Sequence, residues 1–429
     1  MFKGHVHDDT NRAARDRSMK DQTTTMTTVF RGAQVLLSDD LVEADVSIAN
    51  GVIAEIGSDL PADRTVDARG CLLAPALIDL HGDAFERQMM PRPGVFFPLE
   101  TALLETDRQL AANGIATAYH ALTIGWAPGL RSVEKGAEFL AALQALAPRL
   151  TVENRVQLRW ETFGFEAVDL IRNALHSPLT PSLAFNDHLS MSLRSFDTTV
   201  QARGFEHSAN YAVADLDDPR ILKRFGKDMT NSGLPEAEYL ALARKVWARR
   251  PDVPGTIAQL AEAARAAGAP MLSHDDTSSE TRAFFRGHGS RVSEFPMTLE
   301  AAQAAREGGD TIIFGSPNAV RGGSHIGSLA AADMVEAGLC DALASDYFYP
   351  AMLAAVSRMD REKRADRATL WSLVSDGPAR AMGLTDRGRI APGLRADLVL
   401  LEWPEDGAPA VLATYVAGRA AYQAQPLGH

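Results

Sequence analysis

The sequence contains only two cysteines, Cys71 and Cys340, among its 429 residues. Two thiols are too few for a disulfide framework or for a thiolate metal cage, and both lie in apolar stretches. We therefore expect a protein of a reducing compartment, the cytoplasm.

The sequence also lacks long apolar runs and an excess of positive charge. No uninterrupted apolar stretch reaches the roughly 20 residues that a membrane-spanning helix needs. The formal net charge is −12, whereas a general nucleic-acid binder needs a basic surface to displace the counterions of phosphate. Neither a membrane nor a nucleic acid is therefore an expected partner. An anionic small molecule is compatible with this charge, because a few arginines and a metal ion can set the field inside a site.

The two ends of the chain differ in pattern from its middle. Short alternating segments joined by turn residues occupy residues 28–74, and similar segments return in residues 386–429. We expect these two parts to form one small β-sandwich, which follows a disordered polar tail at residues 1–27. Residues 75–385 alternate strand and helix patterns and are expected to form a separate, larger domain.

Eight apolar segments of the middle region end in polar residues. They are LIDLHGD, ATAYHAL, VQLRWET, SLAFNDH, PMLSHDD, RVSEFP, TIIFGSPN and ALASDY. Amphipathic helical patterns such as TIAQLAEAARAAGA separate most of them. This alternation predicts an α/β fold, a (β/α)₈ barrel of the TIM type, whose active site lies at the carboxyl ends of the strands. The first strand is expected to be continuous from Leu72 to Leu80.

Histidine and carboxylate side chains follow five of these strands. The six candidate metal ligands are His81, Asp83, Glu161, His188, His274 and Asp346. A single histidine at a strand end is usually a hydrogen-bonded structural residue, so the prediction depends on their joint occurrence. Six such groups are enough for two divalent ions, Zn²⁺ first and Mn²⁺ or Fe²⁺ as alternatives. Glu161 is expected to bridge the ions, and Asp346 to orient or deprotonate the attacking water.

Two loops contain chemistry for binding an anion. The stretch GSPNAVRGGSHIGS follows the seventh strand, and its glycines and Arg321, with a helix expected to begin near Gly327, are typical of a phosphate cradle. The alternative is an ordinary loop. In the other loop, Arg87 and Arg92 can form forked bonds to anionic oxygens beside a metal, or can be plain surface charges.

Several motifs together resemble a known family. A His-x-Asp motif, β segments at both ends and an aspartate after the last strand resemble the amidohydrolase superfamily, whose members are (β/α)₈ metal hydrolases with a β-sandwich side domain. More narrowly, HGDAFERQMMPRPGV, SHDDTSSE, SEFPMTLEAA, GSPNAVRGGSHIGSLAA and SDYFYPAML resemble the diphosphatase family of the carbon-phosphorus lyase pathway. That family hydrolyses α-D-ribose 1-methylphosphonate 5-triphosphate to the 5-phosphate and pyrophosphate. The resemblance runs from about Val29 to Val416.

The resemblance implies metal-assisted hydrolysis of a phosphoanhydride, with Asp346 as proton acceptor. The expected substrate-binding residues are Glu86, Arg87, Arg92, Asn318, Arg321 and His325. The chain departs from the family after His188, where LSMSLRSF replaces Thr-Pro-Gly-Gln, and at Gly82 and Ala84. Substrate recognition can therefore differ in residues 189–250. The alternatives are a deaminase or cyclic amidase that uses the same metals on a C–N bond, and a non-catalytic metal-binding relative.

One ligand position stays open in the sequence. Superfamily members commonly carry two histidines on strands five and six, whereas here His188 falls on strand four, His274 on strand five and Glu294 on strand six. Either the strand count is off by one, or Glu294 replaces a histidine ligand. The oligomeric state also stays open, a homo-oligomer included.

Overall fold

A computed structural model describes residues 26–323, 327 and 329–424. His325 and most of the predicted tail thus lie outside the described residues. In chain order the strands are β1 (Thr28–Leu36), β2 (Leu41–Ala49), β3 (Val52–Gly57), β4 (Arg64–Asp67), β5 (Leu72–Pro75), β6 (Leu77–Gly82), β7 (Ile115–Ile124), β8 (Glu153–Glu161), β9 (Ser182–Asn186), β10 (Met271–His274), β11 (Val292–Glu294), β12 (Thr311–Gly315), β13 (Ala342–Ala344), β14 (Leu398–Glu402), β15 (Ala410–Val416) and β16 (Arg419–Gln423).

The helices lie mainly between the strands of the middle region. They are α1 (Glu86–Met89), α2 (Leu99–Ala112), α3 (Val133–Leu146), α4 (Val168–Ala174), α5 (His188–Leu193), α6 (Arg220–Ser232), α7 (Glu236–Trp247), α8 (Val253–Ala266), α9 (Ser279–Gly287), α10 (Leu299–Glu307), α11 (Ser316–Arg321), α12 (Ala331–Glu336), α13 (Ala351–Arg361), α14 (Arg367–Ser372) and α15 (Asp376–Ala381). Within the described residues no helix is long and apolar enough to cross a membrane.

Strands from both ends of the chain form one mixed sheet, as predicted. Its order is β16-β15-β14-β5-β1-β2-β3, and β4 pairs with β1. Alternate side chains along the neighbouring strands β5 and β14 pack into two different hydrophobic cores. Leu73 and Leu398 pack in a cluster that belongs to this sheet, whereas Leu72 and Val399 pack against barrel helices. One face of the sheet therefore packs on its own core, and the other face packs against the barrel.

The eight predicted middle segments form one parallel sheet, β6 to β13 in sequence order, so the barrel prediction is confirmed. The sheet closes where Gly82 and Asp346 form a parallel bridge. The Asp346 amide donates to the His81 carbonyl at 2.8 Å, and the Asp83 amide donates to the Asp346 carbonyl at 2.9 Å. Apolar side chains such as Leu80, Tyr119 and others on the remaining strands fill the barrel interior. The closure thus joins segments that carry three predicted site residues.

The prediction of one continuous strand from Leu72 to Leu80 is wrong. The chain leaves the terminal sheet after Pro75 and enters the barrel at Leu77. The Ala76 amide donates to Asp397 of the terminal region at 3.0 Å, and the next amide, of Leu77, donates to Gly114 beside β7 at 2.8 Å. Both pieces are buried and apolar, so the apolar pattern does not reveal the change of sheet.

The segment after His188 contains helices inserted between β9 and β10. Helices α5, α6 and α7 lie in this insertion. The α6 helix buries Ile221 and Phe225, and α7 buries Tyr239 and Val246. These apolar side chains pack into the core that also includes barrel residues. The departure from the family pattern is therefore a packed helical layer near the end of β9.

Candidate active site

The predicted ligands lie at the carboxyl ends of the barrel strands. His81 lies in β6 and Asp83 follows it, Glu161, His274 and Glu294 end β8, β10 and β11, His188 begins α5 after β9, and Asp346 follows β13. The strand count is therefore not off by one, because His188 follows the fourth barrel strand and Glu294 ends the sixth.

Three groups of ligand-type atoms lie close together at this end of the barrel. They are His81 with His274 and Glu294, His188 with His274 and Asp275, and His81 with Asp83 and Asp346. Within each group the candidate ligand atoms are within 4.8 Å of one another. His81 and His274 belong to two groups each, so the three groups form one continuous cluster, which we call the ligand cluster.

Glu294 holds the middle of the ligand cluster and is fully buried. Its Oε2 accepts from His274 Nδ1 at 2.8 Å, and its Oε1 accepts from Gln157 Nε2 at 2.7 Å. His81 Nδ1 lies 3.0 Å from Oε1. Burial alone raises the pKa of Glu294, but the two histidines outweigh this effect and lower it. Glu294 thus fixes the tautomer of His274 and leaves Nε2 of that ring as an acceptor that faces the cluster.

Glu161 pairs with His188 beside this cluster. The Glu161 carboxylate accepts from His188 Nδ1 and from the His188 backbone amide at 3.2 Å. Burial raises the pKa of Glu161, yet the attraction of His188 is stronger and brings the pKa to about 2. Glu161 is therefore ionised at neutral pH and available to a cation.

The seam between β6 and β13 explains the glycine at position 82. Asp79 is buried and accepts from the Ser345 amide at 2.9 Å and from the Ser345 hydroxyl at 2.5 Å. A Cβ at Gly82 would lie 2.6 Å from Asp79 Oδ2 and 2.9 Å from Tyr349 Cε1. No side chain fits there, so the departure from the family at this position follows from the tight seam.

Asp346 lies on the other side of this seam. Burial, together with the nearby charge of Asp83, raises the pKa of Asp346 to about 6. Its φ of 54° is in the left-handed region, a conformation in which non-glycine residues are uncommon and often functional. Asp346 thus combines an uncommon backbone conformation with a carboxyl group whose ionisation is opposed by burial and by the charge of Asp83.

Arg159 places a permanent charge inside the cluster. Its side chain is almost wholly buried, and its Nη2 donates to His274 Nε2 at 3.2 Å. Its Nη1 lies 3.7 Å from Asp83 Oδ2. Arginine has no acceptor atom, so His274 Nε2 must offer its lone pair, in agreement with the tautomer that Glu294 selects. The guanidinium faces the histidine atom that a metal would also approach.

Two cavities flank the ligand cluster. The arginine cleft, defined by Arg159, His274, Asn318, Arg321, Asp346 and Tyr347, has an empty volume of about 820 Å³. The aromatic pocket, defined by Trp126, Glu161, His188, Phe225, Asp228 and Tyr239, has an empty volume of about 540 Å³. Both volumes include space that is open to solvent. The cluster can thus be approached from a side that carries two arginines and from an aromatic side.

Comparisons with known proteins agree with this geometry. Residues 92–422 match the amidohydrolase family. The chain belongs to this family. It is 32% identical over 386 residues to the α-D-ribose 1-methylphosphonate 5-triphosphate diphosphatase of Escherichia coli, a match that covers 87% of this chain and 94% of the relative. It is also 26% identical to an adenine deaminase of Methylobacterium nodulans over 92% of this chain and 58% of the relative.

Solved structures share the fold of this amidohydrolase at low sequence identity. An amidohydrolase from an environmental sample of the Sargasso Sea superposes with a TM-score of 0.62 at 18% identity, covering 92% of this chain and 93% of that one. An adenosine deaminase from Xanthomonas campestris with bound zinc superposes with a TM-score of 0.61 at 13% identity, covering 92% of both chains. The chain is therefore a hydrolase of the amidohydrolase superfamily.

The ligand cluster of this amidohydrolase fits a divalent cation. His81 Nδ1 is buried and lies 3.0 Å from Glu294 Oε1, but its geometry gives it no hydrogen bond to that oxygen or to another described residue. The three groups combine imidazole nitrogens with carboxylate oxygens, the donors that zinc accepts. Asp83 and Asp346 add negative charge that a cation would neutralise. A buried nitrogen without a partner and an excess of carboxylates are both satisfied by a bound metal.

The first set of predicted substrate-binding residues is only partly brought to the site. Arg87 is exposed, and its guanidinium donates to the Tyr347 carbonyl at the edge of the arginine cleft. Both oxygens of Glu86 accept from Arg131, at 2.8 and 2.9 Å, so Glu86 positions an arginine instead of facing a substrate. Arg92 is exposed in the loop between α1 and α2, and it does not line the arginine cleft. The structure thus does not support a substrate contact for Glu86 or Arg92.

The predicted substrate-binding residues after β12 lie closer to the site than those after β6. Arg321 and Asn318 both line the arginine cleft. The Asn318 amide, however, is already used, since it donates to Leu329 at 2.8 Å and accepts from the Ala331 amide at 2.9 Å. These two hydrogen bonds of Asn318 hold the loop between α11 and α12 in place. The helix expected near Gly327 is wrong, because α11 begins at once after β12 and the next helix begins only at Ala331.

Sequence reasoning missed two residues of the site. Asp275 belongs to one of the three ligand groups, and Arg159 contacts His274. Asp275 stands directly after a predicted ligand in PMLSHDD, and Arg159 is a charge inside the apolar strand VQLRWET. A buried charged residue two positions before a predicted ligand is itself a signal, because burial of an unpaired charge is costly.

Proposed function

We propose that this amidohydrolase hydrolyses a phosphoanhydride of α-D-ribose 1-methylphosphonate 5-triphosphate and releases pyrophosphate in phosphonate catabolism. The observation that carries the proposal is the arginine cleft, in which Arg159 and Arg321 face the same space as His274 and Asp346. Arginines bind phosphate oxygens through paired, charge-assisted hydrogen bonds. The Escherichia coli relative carries the name of this activity. The proposal has an anionic small molecule as substrate and the cytoplasm as compartment.

Two divalent cations, Zn²⁺ first, are part of the proposal. His81, Asp83, Glu161, His188, His274, Asp275 and Asp346 are the residues that would hold them. We assign Glu294 to positioning His274, because its oxygens accept from Gln157 and from His274 Nδ1, whereas those of Glu161 accept from His188, which is itself one of the proposed ligands. Bound cations of this kind lower the pKa of a water molecule and offset phosphoryl charge.

The protein's own residues account for the proton and the charge. Asp346 accepts the proton of the attacking water, a role suited to a buried carboxylate whose pKa is raised to about 6. The water oxygen forms the new bond to phosphorus as the bridging P–O bond breaks. Arg321 neutralises the departing pyrophosphate, and Arg159 neutralises the phosphoryl group that stays on the sugar.

A C–N hydrolase is the second candidate. The relative that favours it is the adenine deaminase, which matches nearly the whole chain at lower identity. Such an enzyme would use the same ligand cluster and Asp346, but it has no need of Arg321. The arginine cleft is the feature that favours the phosphoanhydride.

The test is pyrophosphate release from ribose 5-triphosphate by protein loaded with Zn²⁺ or Mn²⁺. A panel of cyclic amides and amino-heterocycles is run beside it and monitored for C–N cleavage. We expect pyrophosphate from the triphosphate and none of the C–N products. Turnover on the panel, with silence on the triphosphate, would assign the second candidate instead.

A further inference from the structure

The aromatic pocket shares its floor with the ligand cluster. Glu161 and His188 line it on the barrel side. Its far wall comes from α6 and α7, the helices that lie in residues 189–250. A molecule held at the cluster therefore has room on two sides, in the arginine cleft and in the aromatic pocket.

Three aromatic rings dominate the far side of this pocket. Trp126 is half-buried in the loop after β7, and its ring centroid lies 5.5 Å from that of Tyr239. Tyr239 in turn lies 5.4 Å from Phe225, and both of these rings are buried. Such rings offer broad apolar faces that pack on the C–H face of a sugar as well as on other apolar groups.

The aromatic pocket and the arginine cleft differ in the cations they offer, since the cleft is lined by Arg159 and Arg321 beside two aspartates. Arg131 is the one arginine among the described residues that line the aromatic pocket. Its Nε and Nη2 both donate to the Glu86 carboxylate. Glu161 and Asp228 add negative charge to the lining. A polyphosphate is repelled by this balance and attracted to Arg159 and Arg321 in the cleft. The pocket suits a neutral group with hydroxyl donors.

The far wall is held by direct backbone contact. The Leu130 amide lies 3.4 Å from the Asn231 carbonyl at the end of α6. A Cβ at Gly129 would lie only 2.1 Å from the same oxygen, so the loop after β7 approaches α6 as closely as a glycine allows. The position of α6 relative to the loop after β7 is therefore set by backbone contact.

We infer that the aromatic pocket binds the neutral sugar ring of the triphosphate substrate, while the arginine cleft binds its phosphates. The ring packs its C–H face on Trp126, and its hydroxyls donate to Asp228 and bond to Asn231. This inference rests on the proposed function, since it assigns the two ends of that substrate to two cavities. It also gives a role to the helices of residues 189–250, which supply Phe225, Asp228 and Tyr239 to the pocket.

The test compares ribose 5-triphosphate with tripolyphosphate, which has the phosphates but no ring. In Trp126→Leu we expect the kcat/KM ratio of the two substrates to fall about tenfold, chiefly through KM for ribose 5-triphosphate, with partial rescue by Trp126→Phe. Asp228→Asn should lower the same ratio, and it keeps the test valid if Trp126→Leu does not fold. Trp247→Leu is the matched control, because Trp247 lies on α7 but packs on Phe163 at 5.4 Å and does not line the pocket.

The outcomes separate the two proposals. An unchanged ratio and KM in folded Trp126→Leu and Asp228→Asn, with pyrophosphate still released by the wild type, overturns the sugar subsite alone. A wild type that releases no pyrophosphate from ribose 5-triphosphate overturns the proposed function and the subsite with it. An equal fall in Trp247→Leu would also overturn the subsite, since the effect would then not come from the pocket.

Discussion

Strand β8 has a glutamate at each of its ends, one half-buried and one buried, and the two differ in their partners. Glu153 begins the strand and Glu161 ends it. In each case burial raises the pKa, yet the partners bring it to about 2. The partners of Glu153 are Arg155 and Arg387, which each donate at 2.6 Å, and Arg395. The partner of Glu161 is a histidine.

This difference separates the structural end of the barrel from the chemical end. Arginine keeps its charge at any pH of interest, so Glu153 is permanently neutralised and fastens the barrel to the segment that leads into β14. Burial lowers the pKa of His188, and the charge of Glu161 outweighs burial and raises it. A histidine can nevertheless give up its proton, so Glu161 is not permanently neutralised and is able to bind a cation. The two carboxyl groups have similar pKa values, but Glu153 has a structural role and Glu161 has a chemical one, because their partners differ.

The largest expected effect at the chemical end comes from Asp346→Asn. Loss of the proton acceptor should lower kcat for pyrophosphate release by about 10²- to 10⁴-fold. The barrel should stay folded, because the bridge to Gly82 uses backbone atoms. Steady-state kinetics, with metal content measured beside them, check this. Near wild-type turnover in a metal-loaded variant would remove Asp346 from the mechanism.

Charge reversal at Arg321 sharpens the choice between phosphoanhydride and C–N hydrolysis. Arg321→Glu should lower kcat/KM for ribose 5-triphosphate by about 100-fold, because a preorganised cation that faces the leaving group is replaced by an anion. Arg321→Lys is the control and should keep part of the activity. A triphosphatase rate that is indifferent to the sign of this charge would contradict the assigned role.

Glu294→Gln tests the positioning of His274. The amide can offer a donor where the carboxylate offered an acceptor, so we expect metal affinity to fall by about 10- to 100-fold. Competition with a chelator measures this effect at constant pH. If Glu294 were instead a direct ligand, zinc stoichiometry would fall as well as affinity, and metal analysis of the dialysed variant distinguishes the two.

The smallest effect is expected at the structural end, from Glu153→Gln. Three arginines lose their carboxylate partner, so the free energy of unfolding at neutral pH should fall by about 1–3 kcal/mol with activity retained. Since folding lowers the pKa of Glu153 from 4.5 to about 2, the stabilisation is complete above pH 4.5 and is lost as the pH falls toward 2. Denaturant titrations should therefore show wild type and variant converging over that range. A constant difference down to pH 2 would contradict the assignment.

The barrel was predictable because buried strands that end in polar residues leave a strong pattern in the sequence. All eight segments became strands, and the residues at their ends converge because parallel strands share one edge. The change of sheet between Pro75 and Leu77 was not predictable, since both sides of it are equally apolar. Likewise, Arg159 gains its meaning only from its contact with His274, which is 115 positions away in the sequence. Asp275 stands next to His274, but its place in a ligand group depends on His188, which the fold brings beside it.

The seam between β6 and β13 ties the folding of the chain to its chemistry. Ser345 and Asp79, which bond across it, are 266 positions apart. During synthesis the first barrel strand leaves the ribosome long before its closing partner exists. Until then His81 and Asp83 have no Asp346 beside them, so an unfinished chain cannot present the complete cluster to a metal. Closing the barrel and assembling the ligand cluster are therefore one event.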